Sequence, residues 1–154
     1  MHLSADELSH LLRDVATVSP DIENIIQDEI QSWAVRFLDD GVIHLALREQ
    51  PARLELMASI GNWPSNAPEE FASLLLMFNF LSKDTGGARM GLSAHDRRIY
   101  LVADLPRSIA DAYTLRDELR RFATLAANWC DAVAHARQPQ VPAVPRHVSI
   151  DRQA

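Results

Sequence analysis

The hydrophobic positions of the chain change period several times, and each period predicts a different element. Ser4 and Glu7 form a capping box, the signature of a helix start. Apolar residues then recur at helical spacing, at Leu8, Leu11, Leu12 and Val15. This spacing predicts an amphipathic first helix of about four turns that ends by Pro20, because proline disfavours helical geometry in the residue before it.

A period of two follows a polar segment (residues 21–32) to which the pattern assigns no element. The alternating apolar positions fall into three runs: Trp33, Val35 and Phe37; Ile43, Leu45 and Leu47; and Leu54, Leu56, Ala58 and Ile60. Turn residues separate the runs at 39–41 and 50–52. The pattern predicts three antiparallel strands joined as a meander.

The second half of the chain predicts a helix from about Asn66 to Ser82, two short strands (88–92 and 99–103) and a long last helix from about Ser108. The predicted fold is therefore α+β, an antiparallel twisted sheet with helices in the order α-β-β-β-α-β-β-α. Residues 1–137 form one domain in this interpretation. Residues 138–154 contain three prolines and no periodicity, which predicts a flexible tail.

The central helix carries apolar residues around most of its circumference, more than one small core can cover. We therefore predict a homodimer. Its interface residues are expected on this helix and on the strand after Gly86–Gly87, at Phe71, Leu74, Leu75, Phe78, Met90 and Leu92. The alternative is that all of these side chains face the core of their own monomer.

Composition excludes several classes of protein. The formal net charge of -6 argues against a nucleic-acid partner, which requires a concentrated basic face. The single cysteine, Cys130, leaves no partner for an internal disulfide and is expected to be a half-buried core residue. The polar start and the lack of any run of about 18 apolar residues predict a cytoplasmic protein that does not insert into a membrane.

Residue patterns for catalysis are weak. The six histidines do not form an i, i+4 pair that could hold a metal. His95–Asp96 could act as an acid–base pair, with His44 as a third candidate, but its place between two predicted strands favours a turn. Asp39–Asp40–Gly41 is interpreted as a hairpin turn, and no phosphate loop follows Gly86–Gly87. We predict neither a catalytic site, nor a cofactor, nor a bound metal.

Taken in order, these segments resemble the class I type III secretion chaperones of the Tir-chaperone (CesT-like) family over about residues 4–136. The resemblance rests on WAVRFLDDGVIHLAL, on the strand ending at Ile60–Gly61, and on LLLMFNFL followed by Gly86 to Leu92. The hairpin ending at Pro106 and the long last helix with Phe122 and Trp129 complete the pattern. The tail after Gln138 lies outside it.

The resemblance implies a homodimer in a bacterial cytoplasm that binds the N-terminal region of one or more effector proteins in extended form. It also implies delivery of these clients to the secretion apparatus, through its ATPase or its export gate. The expected client surface combines the first helix and the meander, at Leu8, Leu12, Ala34, Arg36, Leu38, His44, Ala46 and Met57. Periodicity alone leaves open which sheet face is inward, and the fold alone would also suit a dimeric adaptor or regulatory protein.

Overall fold

The structure is a computed structural model that describes residues 3–81 and 83–136. Its helices are α1 (Ala5–Val18), α2 (Glu69–Phe80) and α3 (Ala112–Ala136). Its strands are β1 (Ile22–Glu29), β2 (Ser32–Phe37), β3 (Val42–Glu49), β4 (Ala52–Asn62), β5 (Arg89–Leu92) and β6 (Arg98–Leu105). The predicted α+β class is confirmed. The predicted tail lies outside the described residues.

All six strands form one antiparallel sheet in the order β1-β2-β3-β4-β6-β5. The predicted order of elements was incomplete, because the polar segment before the meander is an additional strand, β1. Its three isoleucines, at 22, 25 and 26, lack a period of two. The pairing of β1 with β2 shifts register between Ile22 and Asn24 and again between Gln27 and Glu29, which explains why the alternation is lost.

One face of the sheet packs against α1 and α3 and forms the core. Inward strand residues are almost wholly buried, among them Val35, Leu45, Leu56 and Leu101. The helices contribute Leu8, Leu12, Val15, Leu115 and Leu119. This arrangement decides the question that periodicity left open, because the odd-numbered residues of β2 and β3 point inward.

Side-chain caps mark the starts of two of the three helices in the described part of the chain. Ser4 caps α1 and forms the predicted capping box with Glu7, whose carboxylate also accepts the Ser4 backbone N–H at 2.8 Å. The Asp111 carboxylate accepts the backbone N–H of Thr114 at 2.7 Å in the first turn of α3. The predicted start of α2 at Asn66 was wrong, since Pro68 is the N-cap and no side chain caps this helix.

Two arginines hold the helical layer to the sheet. Arg120 on α3 makes a two-pronged ion pair with Asp21, just before β1, and its Nε donates to Asp21 Oδ2 at 2.9 Å. Arg107, after β6, has a buried side chain that donates to the carbonyl oxygen of Leu3 at 3.1 Å and lies 3.3 Å from Glu49. These contacts fix the position of the first helix and leave the opposite sheet face open.

Candidate functional site

The sheet face opposite the helices, called here the open face, presents one row of side chains across all six strands. Directly paired residues of antiparallel strands share a face and lie about 5 Å apart. The paired positions that form the row are Ile26, Ala34, His44, Met57, Val102 and Arg89. The open face is therefore continuous from one sheet edge to the other.

Much of this face is apolar and only half buried. Ala34, Ala46 and Met57 are half buried, whereas Arg36 and His44 are exposed. These five residues were predicted as client contacts, and the structure brings them together on the open face. Their role in binding remains a prediction. A partner chain would find apolar contacts here beside polar groups.

A ladder of alternating charges runs across the open face beside this row and meets it at Arg89. Arg48 pairs with Glu55 at 2.7 Å, and Arg53 lies 3.4 Å from the other oxygen of Glu55. Arg53 also pairs with Asp104 at 3.0 Å, and Arg89 pairs with Asp104 at 2.8 Å. Only residue pairing across four strands assembles this group, so no local sequence pattern could have revealed it. The ladder forms a polar border along the apolar part of the face.

The remaining predicted client contacts do not lie on the open face. Leu8 and Leu12 were predicted as part of the client surface, but both side chains are buried in the core. They face the sheet, so they offer no surface to another chain, and this part of the prediction is corrected. Leu38 is 67% exposed and follows β2, where it lines a shallow groove with Asp21 and Arg120 of the helical side.

The two edges of the sheet differ in how they are covered. At the β5 edge, the side chain of Asn79 on α2 binds both backbone groups of Met90. At the other edge lies β1, eight residues long, with Ile26 54% exposed. Since an edge strand presents unpaired backbone groups, β1 is the more suitable site for an added strand.

A second apolar surface covers the outer side of α2 and the end of β5. Its exposed side chains, called here the α2 patch, are Leu74, Leu76, Met77, Phe80, Leu81 and Leu92. Phe80 is 88% exposed, an unusual state for a large aromatic residue. The α2 patch thus contains apolar residues that the described part of this chain does not cover.

The α2 patch differs from the predicted dimer interface. Phe71 and Leu75 are buried within the monomer, and the ring of Phe71 packs edge-on against Trp63 at 5.3 Å. Phe78 is half buried and packs in the same way against Trp129 of α3 at 5.1 Å. For Phe71 and Leu75 the alternative that they face their own core is correct. Of the predicted interface residues, Leu74 and Leu92 are about half exposed, and Met90 is half buried.

The residues considered for catalysis are not gathered into a site. His95 is exposed on the turn between β5 and β6, as predicted. Hydrogen bonds from Ser93 and from the backbone N–H of Arg98 lower the pKa of Asp96. Both partners lie within three residues, so the carboxylate of Asp96 stabilises the turn. Cys130 as a residue is exposed rather than half buried. Its Sγ lies 3.8 Å from the carbonyl oxygen of Ser59 on β4, and partial loss of solvent at the thiol, together with the nearby Asp131 carboxylate, raises its pKa. Residues 3–81 and 83–136 hold no group of three or more potential metal ligands.

Two solved structures contain chains whose fold is similar to that of this protein. A chain in the structure of the HopA1–SchA chaperone–effector complex matches with a TM-score of 0.65 and 17% sequence identity, over 85% of this chain and 98% of that one. A chain in the crystal structure of the ExsC–ExsE complex matches with a TM-score of 0.70 and 18% identity, over 86% of this chain and 97% of that one. No curated protein sequence matches.

The α+β fold of the described part of this chain, one six-stranded antiparallel sheet with three helices, is thus the fold of those two chains. The model of the Tir chaperone protein (CesT) family matches residues 19–130, and the chain belongs to that family. The resemblance predicted from the sequence is confirmed, and with it the class, a type III secretion chaperone. Within the described residues, no helix is long and apolar enough to cross a membrane.

Proposed function

We propose that this chaperone binds the N-terminal region of one or more effector proteins in extended form and keeps them competent for secretion. It acts as a homodimer in the bacterial cytoplasm, without catalysis or a cofactor. It then delivers its clients to the secretion apparatus, at the ATPase or the export gate. The observation that supports this most strongly is the open face, a sheet face with half-buried apolar residues that no element of the described chain covers.

The open face suits a client held in extended form. The row offers apolar contacts at Ala34 and Met57, with the polar side chain of His44 between them and that of Arg36 beside Ala34 on the same strand. Ordering an extended segment costs about 2–5 kcal/mol or more, so the contact has to be long. A row that crosses six strands spaced about 4.8 Å apart extends roughly 24 Å, which satisfies this requirement.

The β1 edge extends the same surface. Addition of a client strand beside β1 gives backbone hydrogen bonds that do not depend on the client's sequence. Ile26 lies at this edge and belongs to the apolar row, so one client segment can contact both. Because binding withdraws the segment from its own folding equilibrium, the chaperone keeps it unfolded by mass action, without ATP.

The test of client binding uses a matched pair of substitutions. The chaperone is expressed in its native host, and the fragments that remain bound are identified by limited proteolysis and mass spectrometry. Ala34→Glu places a charge on the open face, whereas Ala132→Glu places the same charge on an exposed position of α3. We expect Ala34→Glu to weaken retention of the fragment by tenfold or more, about 1.4 kcal/mol, and Ala132→Glu to leave it unchanged.

Three results would contradict this function. Equal retention by both variants would remove the open face as the client site. Retention of folded partners only would favour the adaptor or regulatory alternative. Turnover of a small substrate that is lost in a His95→Ala variant would favour the enzyme alternative.

The proposed homodimer is supported by the α2 patch. Its six side chains are between 47% and 88% exposed, a group of exposed apolar residues of the kind that marks an interaction site. A stable interface buries about 800 Å² on each partner, and exposed apolar residues typically form its centre. Analytical ultracentrifugation of the purified chain without a client measures the oligomeric state directly. A monomer at micromolar concentration would contradict the dimer without affecting the client assay.

A further inference from the structure

A groove runs between α3 and the turn that joins β2 to β3. It consists of two adjoining hollows of about 440 and 260 Å³, which are both bordered by Phe37, Asp39, Ala123 and Ala127. The alanines leave the space open on the helix side, and Phe37 is only 6% exposed on the sheet side. The described residues leave this groove, called here the α3 groove, unfilled. It has room and apolar walls for one extended segment.

The rim of the α3 groove is acidic. Asp39 and Asp40 lie on the turn and Asp131 lies on α3, and all three residues are exposed. None of the three forms an ion pair with another described residue. Arg120 also borders the groove, but its charge is offset by Asp21. A segment that fits this groove therefore combines apolar side chains with arginine or lysine.

The sequence that follows α3 has this chemistry. Residues 137–154, which lie outside the described part of the chain, carry three arginines and one aspartate in a protein of net charge -6. Prolines recur among them at every third position, at Pro139, Pro142 and Pro145. Val141 and Val144 share the same spacing. A polyproline II helix has three residues per turn, so in that conformation the prolines fall on one side and the valines on another.

A segment of this kind also suits the walls of the groove. A polyproline II helix forms no hydrogen bonds within itself, and proline has no backbone N–H to satisfy. It can therefore lie against a helix and a turn, where no free strand edge is available. The strand addition considered for β1 has no counterpart here.

We propose that residues 139–146, called here the proline segment, lie in the α3 groove of their own chain and run antiparallel to α3. From Ala136 back to Ala123 the helix measures about 20 Å. Eight residues of polyproline II span about 25 Å, so the proline segment matches the groove after one reversal of direction at 137–138. Val141 then lies opposite Cys130, and Arg146 reaches the end of the groove at Asp39. The predicted flexibility of the tail holds only beyond Arg146.

Docking of the proline segment covers Leu38. This side chain is 67% exposed at the Asp39 end of the α3 groove and was predicted as a client contact. A client that contacts Leu38 has to displace the proline segment, which therefore acts as a competitor within the same chain. This consequence rests on the proposed function, whereas the docking itself does not.

The thiol of Cys130 reports whether the groove is covered. It lines the groove and is the single cysteine of the sequence, so a thiol reagent modifies the full-length chain only there. A contact with a dissociation constant of about 0.2 mM, at an effective concentration of about 1 mM, keeps the groove occupied about five to one. The double variant Val141→Asp, Val144→Asp is therefore expected to be modified about fivefold faster than wild type.

A matched double variant provides the control. Val148→Asp with Ile150→Asp adds the same two charges beyond the proline segment and is expected to change the rate of Cys130 modification less than about twofold. Equal rates for wild type and the Val141→Asp, Val144→Asp variant would overturn the docking. Equal acceleration by both double variants would assign the effect to charge alone and overturn it as well.

Disulfide formation with Cys130 tests the register. Two cysteines can be joined only when their Cα atoms lie within about 7 Å. Under mild oxidation Val141→Cys is expected to give a disulfide within one chain, visible as faster migration in non-reducing electrophoresis. Val148→Cys lies about 22 Å further along a polyproline II segment and is expected to give little. Equal yields from both variants would overturn the register, and a disulfide-linked dimer would place the segment on another copy.

Client retention separates this inference from the proposed function. Release of the proline segment by Val141→Asp and Val144→Asp is expected to increase retention of the client fragment by up to about fivefold, because a larger fraction of the protein is free to bind it. Unchanged retention together with faster modification of Cys130 would overturn the competition. Absence of any client fragment from the wild-type protein would contradict the proposed function, and the result at Cys130 would still decide the docking.

Discussion

The side-chain amide of Asn79 on α2 makes two hydrogen bonds to the backbone of Met90 on β5. The Met90 N–H donates to Asn79 Oδ1 at 2.6 Å, and Asn79 Nδ2 donates to the Met90 carbonyl oxygen at 3.1 Å. An amide imitates the backbone of a missing neighbouring strand in this geometry. One residue thereby anchors α2 to the sheet and occupies part of its β5 edge.

Replacement of Asn79 by leucine is expected to destabilise the fold by about 2–3 kcal/mol, because both backbone groups of Met90 lose their partners in a partly buried place. Urea unfolding monitored by circular dichroism measures the loss. The matched control is Asn128→Leu at an exposed position of α3, with an expected change within about 0.5 kcal/mol. Equal stability of the two variants would show that the Asn79 contact contributes nothing.

The Asp21–Arg120 pair is expected to make stability depend on pH in the acid range. The hydrogen bond from Arg120 lowers the pKa of Asp21 below its ordinary value of 3.8. A lowered pKa in the folded state contributes stability that is present above the ordinary value and is lost as pH falls through the folded value. The free-energy difference between wild type and Asp21→Asn should therefore be constant above about pH 5 and shrink below about pH 4. Both groups are partly exposed, so we expect this free-energy difference to be about 1 kcal/mol or less at neutral pH.

Denaturant titrations of the two proteins at a series of pH values measure this difference. Asp14→Asn, at an exposed position of α1, provides the comparison carboxylate. A difference that grows as the pH falls would have the wrong sign for a lowered pKa and would contradict the role of the pair.

Arg107→Ala is expected to release the start of the chain from the sheet. The buried guanidinium holds the carbonyl oxygen of Leu3 and lies beside Glu49, so its removal leaves a partly buried acceptor without this partner. We expect a loss of about 2–3 kcal/mol in the free energy of unfolding, with faster proteolysis before α1. Arg13→Ala, at an exposed position of α1, should change neither property. Unchanged proteolysis of the Arg107 variant would contradict the anchoring role.

Gly86→Ala and Gly87→Ala separate backbone strain from crowding at the exit of α2. Both glycines have positive φ, 68° and 81°, so alanine costs on the order of 1 kcal/mol at either position. Only at Gly86 would the added Cβ also contact a side chain, the guanidinium of Arg121, whereas Gly87 faces open space. Thermal unfolding should therefore show a larger loss of stability for Gly86→Ala than for Gly87→Ala. A second substitution, Arg121→Ala, in the Gly86→Ala protein should reduce this difference. Equal losses would mean that Arg121 moves aside without cost.

Short-range patterns predicted most of the elements, because each depends on neighbouring residues. The capping box at Ser4 and Glu7, the meander, and the turn at His95–Asp96 are all present in the structure. Strand β1 was missed, since two register shifts remove the alternation on which a strand prediction depends. The family could be predicted even without β1, because the other eight elements follow one another in the predicted order.

The roles of individual apolar residues could not be predicted in the same way. Leu8 and Leu12 lie in the core rather than on a client surface, and Phe71 and Leu75 face the monomer rather than a partner. The apolar character of a residue indicates that its burial is favourable. It does not indicate whether the monomer core or another chain buries it. On a helix that is apolar around most of its circumference, such as α2, the pattern has no continuous polar side from which to read the inward direction.

By itself, the sequence determined the class of fold, the family and the presence of apolar residues around most of α2, more than the described part of the chain buries. These properties follow from composition and from hydrophobic periods of two and 3.6 residues, which can be read from a few neighbouring residues. Only the tertiary structure decided that Phe80 points outward while Phe71 points inward, and that Ala34, His44 and Met57 form one row. Both depend on strand pairing and helix packing between residues distant in sequence, where direction and register are set by the whole core.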